Sequence, residues 1–395
     1  MEIRFPMWLR VVGRPGAREF AVLSAVEAFS RALIAGVIPL EAHALLVEAQ
    51  TISLVYAGVG IVAFAASFMV PLLLLAVRRK WIFSFGTLCM VAAPLLMLLS
   101  EVVPFVIALQ IRSLAVVSVN IALNLYILDY IRRKDFVASE PLRLAFLGIS
   151  WFIGPALGIF LYSEIGLLPV CLVSAGFALS ALAYFWYLRI VDNPTVAPAT
   201  RRPPMPWHNI RRYVSQPRLR LAWIIPFGRS TFWTTFFVYP ALYIVQEGGD
   251  EAIVAVMLSA GQGLLFFAPL IGRVGKRHGI RRIIIGAAVL SGVTAIVTGL
   301  AQPGPVATAA LFVFAAVGAA ALDALGNIPF LRAVHPYERS EMTSVFRTYI
   351  EASQLLPAAA YAAVLTVAPL PAVFVVLGVV LLVSAWYARY LPKAL

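Results

Sequence analysis

The sequence predicts an all-α integral membrane protein of twelve transmembrane helices, built as two pseudo-symmetric six-helix bundles. Composition points there first. Of 395 residues, 62% are hydrophobic and only 12% are charged, about half the ~25% charged content of a soluble domain. Twelve long apolar segments follow one another along the chain, each near or above the roughly 20 residues that an apolar helix needs to cross the hydrocarbon. A single long polar interval, Val191 to Arg220, falls close to the midpoint with six segments on either side. Helices rather than strands are expected, because an open strand edge finds no hydrogen-bond partners in lipid.

In chain order the first half gives spans over 20–40, 51–77, 81–100, 103–130, 143–163 and 166–188. The second gives 220–245, 251–272, 283–301, 305–331, 342–366 and 370–389. The organisation is thus a bundle over 1–190, a linker over 191–219 and a second bundle over 220–395. The many prolines of the linker argue against a packed helix there, and its arginines argue against burial in lipid.

The connections alternate in charge. Those holding Arg78/Arg79/Lys80, Arg132/Arg133/Lys134, the linker, Arg273–Arg282 and Arg332/Arg339 alternate with connections holding Glu41 and Glu48, Glu101, Glu164, and Glu247/Asp250/Glu251. The positive-inside rule places both termini and the linker in the cytoplasm. The same distribution accounts for the net charge of +13 without nucleic acid, since the basic residues flank spans rather than lining one solvated face. Cys89 and Cys171 both lie inside apolar segments, which excludes a disulfide framework or thiolate metal site. The N-terminus has no cleavable signal pattern, so the first apolar segment is a retained span.

The halves echo each other. VIPL around Pro39 is matched by VYPAL around Pro240, Pro155 by Pro357, and the basic cluster 78–80 by 276–282, all at an offset of about 200 residues. A duplicated six-helix unit with a linker is the build of a transporter rocking about a midplane site.

Between spans eight and nine, Gly272-Arg273-Val274-Gly275-Lys276-Arg277-His278-Gly279-Ile280-Arg281-Arg282 resembles the signature loop of the major facilitator superfamily, with Lys276 where that pattern has aspartate. The resemblance covers essentially the whole chain. It implies gating roles for Gly272, Arg273, Lys276, Arg277, Gly279 and Arg281. Gly154-Pro155-Ala156-Leu157-Gly158 is similar to the glycine-proline motif of the proton-antiporter branch, and Arg112 sits where that branch carries a buried arginine. Close helix packing is the other role open to Gly154, Pro155 and Gly158. The resemblance also implies that spans one, four, seven and ten line the central cavity.

Charged residues inside spans carry the functional signal, since each costs about 2.5–3.5 kcal/mol or more at the bilayer centre. They are Glu27 and Arg31 in span one, Arg112 in four, Arg229 in seven, Asp323 in ten, and Arg347 and Glu351 in eleven. Glu27 and Arg31 are four apart on one helical face, either neutralising each other or forming a proton site whose affinity a moving arginine would switch. Arg112 is the candidate for that arginine. Arg347 and Glu351 share the spacing, with a structural pair favoured. Asp323 has no basic residue within a turn, so it is a second proton-site candidate unless it pairs with Arg229. Asp129 beside Arg132 and Arg133 reads as a surface salt bridge. Trp233, in the aromatic run Phe227, Phe232, Trp233, Phe236, Phe237 and Tyr239, suits a bulky amphipathic substrate or serves packing. Asn124 and Asn327 supply hydrogen bonds to substrate or between helices.

No phosphate-binding Gly-rich loop with Lys-Ser/Thr is present, the four histidines lie in or near loops, and no catalytic cluster is visible. The expectation is a monomeric, proton-coupled transporter of the inner membrane with no cofactor or metal and no enzymatic activity. It would export small amphipathic molecules, the alternative being organic-anion symport or exchange through Arg31, Arg112 and Arg229.

Overall fold

In the computed structural model, residues 16–131, 136–188, 206–334 and 339–392 are described, and all regular structure among them is helical. Span one is split into α1 (Ala17–Ala35) and α2 (Val37–Leu46), joined at Gly36. There follow α3 (Ala49–Ala76), α4 (Arg79–Met97), α5 (Val102–Tyr130), α6 (Phe136–Glu164) and α7 (Leu167–Tyr187). Beyond the linker come α8 (Pro206–Val214) and α9 (Pro217–Gln246). Span eight is α10 (Glu251–Gly263) running through a 3-10 turn into α11 (Ala268–His278), and span nine is α12 (Ile280–Ala301). Span ten is α13 (Pro305–Leu325) with α14 (Ile328–Ala333), span eleven is α15 (Arg339–Arg347) with α16 (Tyr349–Val364), and span twelve is α17 (Ala372–Ala388). Nine stretches among the described residues are long and apolar enough to cross a membrane. Three of the twelve expected spans fall outside that set: α9 carries Arg218, Arg220 and Arg229, while α16 and α17 are 16 and 17 residues long.

The linker corrects one expectation. Its last part is α8, a helix that packs on α9 and α15. The prolines do not prevent it because none lies in its interior: Pro206 opens α8 and Pro217 opens α9, where a missing N–H costs nothing. Tyr213 is buried and donates its hydroxyl to the Leu219 carbonyl at 2.9 Å. Burial pushes its phenol well above the usual range, so it stays a donor. The basic residues 132–134 and the side chains of Asp129 and Lys276 lie outside the described part.

The hydrophobic cores define the shape. One core contains residues of both halves, among them Ile38, Ile52, Ile159, Tyr239, Leu258 and Tyr361, and lies toward the end of the molecule bearing the acidic connections. Toward the linker end the cores separate. Phe20, Phe83, Tyr126 and Phe185 belong to one in the N-terminal half, while Ile225, Ile284, Leu325 and Ala385 belong to another in the C-terminal half. The halves are therefore welded at the acidic end and diverge toward the linker end. Their seam runs along α3 against α16 and α6 against α10. At Gly60 the approach is so close that a Cβ would stand 2.6 Å from the Leu355 Cα.

Candidate functional site

In the N-terminal half, Glu27 and Arg31 form the ion pair their spacing predicted. The Arg31 Nη2 donates to Glu27 Oε2 at 3.0 Å, and Nε stands 2.7 Å from Oε1, off the N–H direction and so an ionic contact without a second hydrogen bond. The Glu27 side chain is 2% exposed and that of Arg31 15%. Arg112 on α5 reaches the same spot from outside the pair: its Nη2 donates to the Arg31 backbone carbonyl at 3.3 Å, and its buried Nε has no partner. Two guanidinium groups thus converge near one carboxylate.

In the C-terminal half, Asp323 does find a cation. Its Oδ1 lies 3.0 Å from Arg229 Nη1, and its Oδ2 accepts from Trp233 Nε1 at 2.6 Å. Arg229 Nη2 in turn donates to the Tyr349 hydroxyl at 2.8 Å, with the guanidinium 5.4 Å from that ring's centre. Of the two states the sequence left open for Asp323, the paired one holds. Local spacing concealed it because the partner comes from α9.

Aromatic rings join the two ion pairs. The Arg31 guanidinium lies 5.9 Å from the centre of Trp151, which packs edge-on against Phe237 across the seam at 5.4 Å. Phe237 contacts Phe236 at 6.0 Å, and Phe236 contacts Trp233 at 5.4 Å, which returns to Asp323. Phe232, Phe236 and Tyr239 are fully buried and serve packing, whereas Trp233 and Phe237 are half-buried. Trp151 and Tyr349 escaped the sequence reading, since neither spacing nor charge marks them. Tyr239 also ties the seam, its hydroxyl 2.9 Å from Ser53 Oγ.

Other predicted residues divide. Asn327 sits in the break between α13 and α14 with its buried Oδ1 unpartnered. Asn124 is half-buried on α5. Arg347 ends α15 and is exposed, and within 4 Å no ion pair joins it to Glu351 among the described residues, so the favoured structural pair is not formed. The intervening Thr348 turns the chain between two helices, and the four-residue spacing no longer lies on one continuous helix. Gly154 and Gly158 are contact points of α6 on α1: a Cβ at Gly154 would stand 2.5 Å from Ala32 Cβ, and one at Gly158 would overlap the Leu33 carbonyl oxygen. Their packing role is therefore real, with Pro155 buried between them. In the loop motif, Gly272, Arg273, Gly275 and Arg277 belong to α11. Gly279 makes the turn into α12, ahead of Arg281, at φ +89°, a conformation that favours glycine.

No curated protein matches the sequence significantly. Solved structures do match its fold. A POT family transporter in complex with a thioalcohol-conjugated peptide superposes with a TM-score of 0.77 at 11% identity, covering 94% of each chain. The nucleoside transporter NupG gives 0.73 at 12% identity over 95% of this chain and 98% of that one. A bacterial homologue of the iron transporter ferroportin, in its inward-facing state, gives 0.71 at 14% over 95% and 97%. These fold neighbours are transporters rather than enzymes. The sequence model of the Major Facilitator Superfamily matches residues 20–264 and 230–394. Together these matches span nearly all of the sequence, and this chain belongs to the Major Facilitator Superfamily of multi-pass membrane transporters.

Proposed function

We propose that the protein is a proton-coupled secondary transporter that exports small amphipathic molecules, working by alternating access of its two halves. The observation that carries this is the chain of rings linking the Glu27–Arg31 pair to the Arg229–Asp323 pair across the seam. Ionic groups at both ends and the half-buried rings of Trp151, Phe237 and Trp233 between them would hold a molecule with a flat apolar body and a polar end. Glu27 is the proton carrier in this scheme. Arg31 and Arg112 both approach it, so rocking that moves either one changes how strongly the carboxylate binds a proton. Protonation would free Arg31, and substrate would compete for the released site. Asp323 is the second acid. The linker end faces the cytoplasm, the membrane is the inner one, and the working unit is the monomer.

Arg112 favours a second reading, organic-anion symport or exchange. Glu27 and Asp323 each have an arginine of their own, which leaves Arg112 with no carboxylate within 4 Å among the described residues. A guanidinium with an unpartnered Nε suits a carboxylate or phosphate.

Proton flux into proteoliposomes carrying a trapped pH dye separates the two. Lipophilic cations and neutral amphiphiles should drive proton movement in the wild type and none in Glu27→Gln, with the variant still folded. Flux unchanged in Glu27→Gln would remove the proton site. Movement driven by organic anions alone, and lost in Arg112→Ala, would establish the second reading.

A further inference from the structure

We propose that the N-terminal half binds an anionic phospholipid of the linker-side leaflet in a groove between α3 and α4. Here α3 and α4 each pack on α5 while barely touching one another. The gap they leave is a cavity of about 540 Å³ lined almost wholly by apolar groups, with Val62, Ala66, Met69 and Val77 on one wall, Trp81 on the other, and Ser118 of α5 on its floor. From Val62 to Val77 the wall rises about 22 Å at 1.5 Å per residue. That span begins at the linker end and passes the middle of a ~30 Å hydrocarbon core, so it accommodates the full length of one leaflet's acyl chain. Met69, Trp81 and Phe85 are 58%, 54% and 55% exposed, so the groove is open from outside.

Its lower end is basic. Arg78, Arg79 and Lys80 join α3 to α4 with no acidic residue among them, and Arg78 is exposed. The Lys80 ammonium lies 5.4 Å from the Trp81 ring centre and 5.7 Å from that of Trp186. The two rings touch at 5.9 Å, and Trp186 is anchored by donating its Nε1 to Ser84 Oγ at 3.1 Å. Tryptophan pairs of this kind mark headgroup depth. A basic pocket between transmembrane helices at that depth selects anionic headgroups over zwitterionic ones. The apolar slot fixes the occupant as a lipid, and the charge at its mouth fixes the headgroup sign. The floor belongs to the helix that carries Arg112, so the occupant bears on the same element that enters the central site.

Native mass spectrometry of the purified protein tests this with palmitoyl-oleoyl phosphatidylglycerol against the matching phosphatidylcholine. The wild type should retain phosphatidylglycerol preferentially. In Arg78→Gln/Lys80→Gln the preference should fall by roughly fivefold for each charge removed. Ala65→Trp, an exposed position on the groove wall, should lose the bound lipid while the protein stays monodisperse. Equal retention of both lipids by the wild type overturns the proposal. So does a preference that survives the double substitution, or full phosphatidylglycerol retention by Ala65→Trp. The readout is independent of transport.

Discussion

Asp323 holds Arg229 at 3.0 Å and takes the Trp233 N–H at 2.6 Å, so two side chains of α9 depend on one carboxylate of α13. Asp323→Asn keeps an acceptor for Trp233 and removes the charge facing Arg229, which then relies on Tyr349 alone. The expected loss is about 1.5–3 kcal/mol, the usual worth of a hydrogen bond to a charged group. A thermal melt of the detergent-solubilised protein checks it, and an unchanged midpoint would mean the pair contributes nothing to stability. At this scale the sequence showed which residues matter but only some of their partners. A charge inside an apolar span is conspicuous because of its desolvation cost, and Glu27–Arg31 was readable because both lie on one helix. Arg229–Asp323, Trp151 over Arg31, and Tyr349 under Arg229 join different helices. No local spacing encodes such contacts.

Helix α6 meets α1 through Gly154 and Gly158, and at Gly158 there is no room for a methyl group. Gly158→Ala should force the two helices apart, with an overpacking cost of about 1–3 kcal/mol and a lowered melting midpoint. Gly176→Ala on α7 is the matched control, because nothing lies within 4 Å of its Cβ position, and it should melt no lower than the wild type. Equal behaviour of the two variants would show that α1 can yield. Element number and order were legible in the hydropathy of the chain, since a helix must be long enough to span lipid. The breaks were not. Gly36, the 3-10 turn Leu264–Phe267 and the α13–α14 junction sit within apolar runs, where hydropathy stays uniform while the backbone changes direction. The helix α8 was hidden for the opposite reason, a short helix in a polar, proline-rich setting whose stability comes from packing on α9 and α15.

Among the described residues the two halves share a core only at the acidic end, where Ser53 and Tyr239 also bond across the seam. Tyr239→Phe deletes that bond without changing the ring. The loss of one hydrogen bond, about 0.5–1.5 kcal/mol, should raise the population open at the acidic end by roughly two- to tenfold. Spin labels at Val47 and Glu247, exposed residues of opposite halves near that end, would report it as growth of a longer-distance population. An unchanged distance distribution would show that the seam is held by packing alone. The duplication read from Pro39/Pro240 and Pro155/Pro357 anticipated two comparable bundles. It held no information on which end is closed, because that depends on which apolar faces from the two halves meet. The weld has a thermal consequence. Opening the acidic end would hydrate apolar surface from both halves, which would raise the heat capacity of the molecule. Apolar association weakens on cooling. Chilling should therefore enlarge the population open at the acidic end, read as growth of the longer distance between labels at Val47 and Glu247.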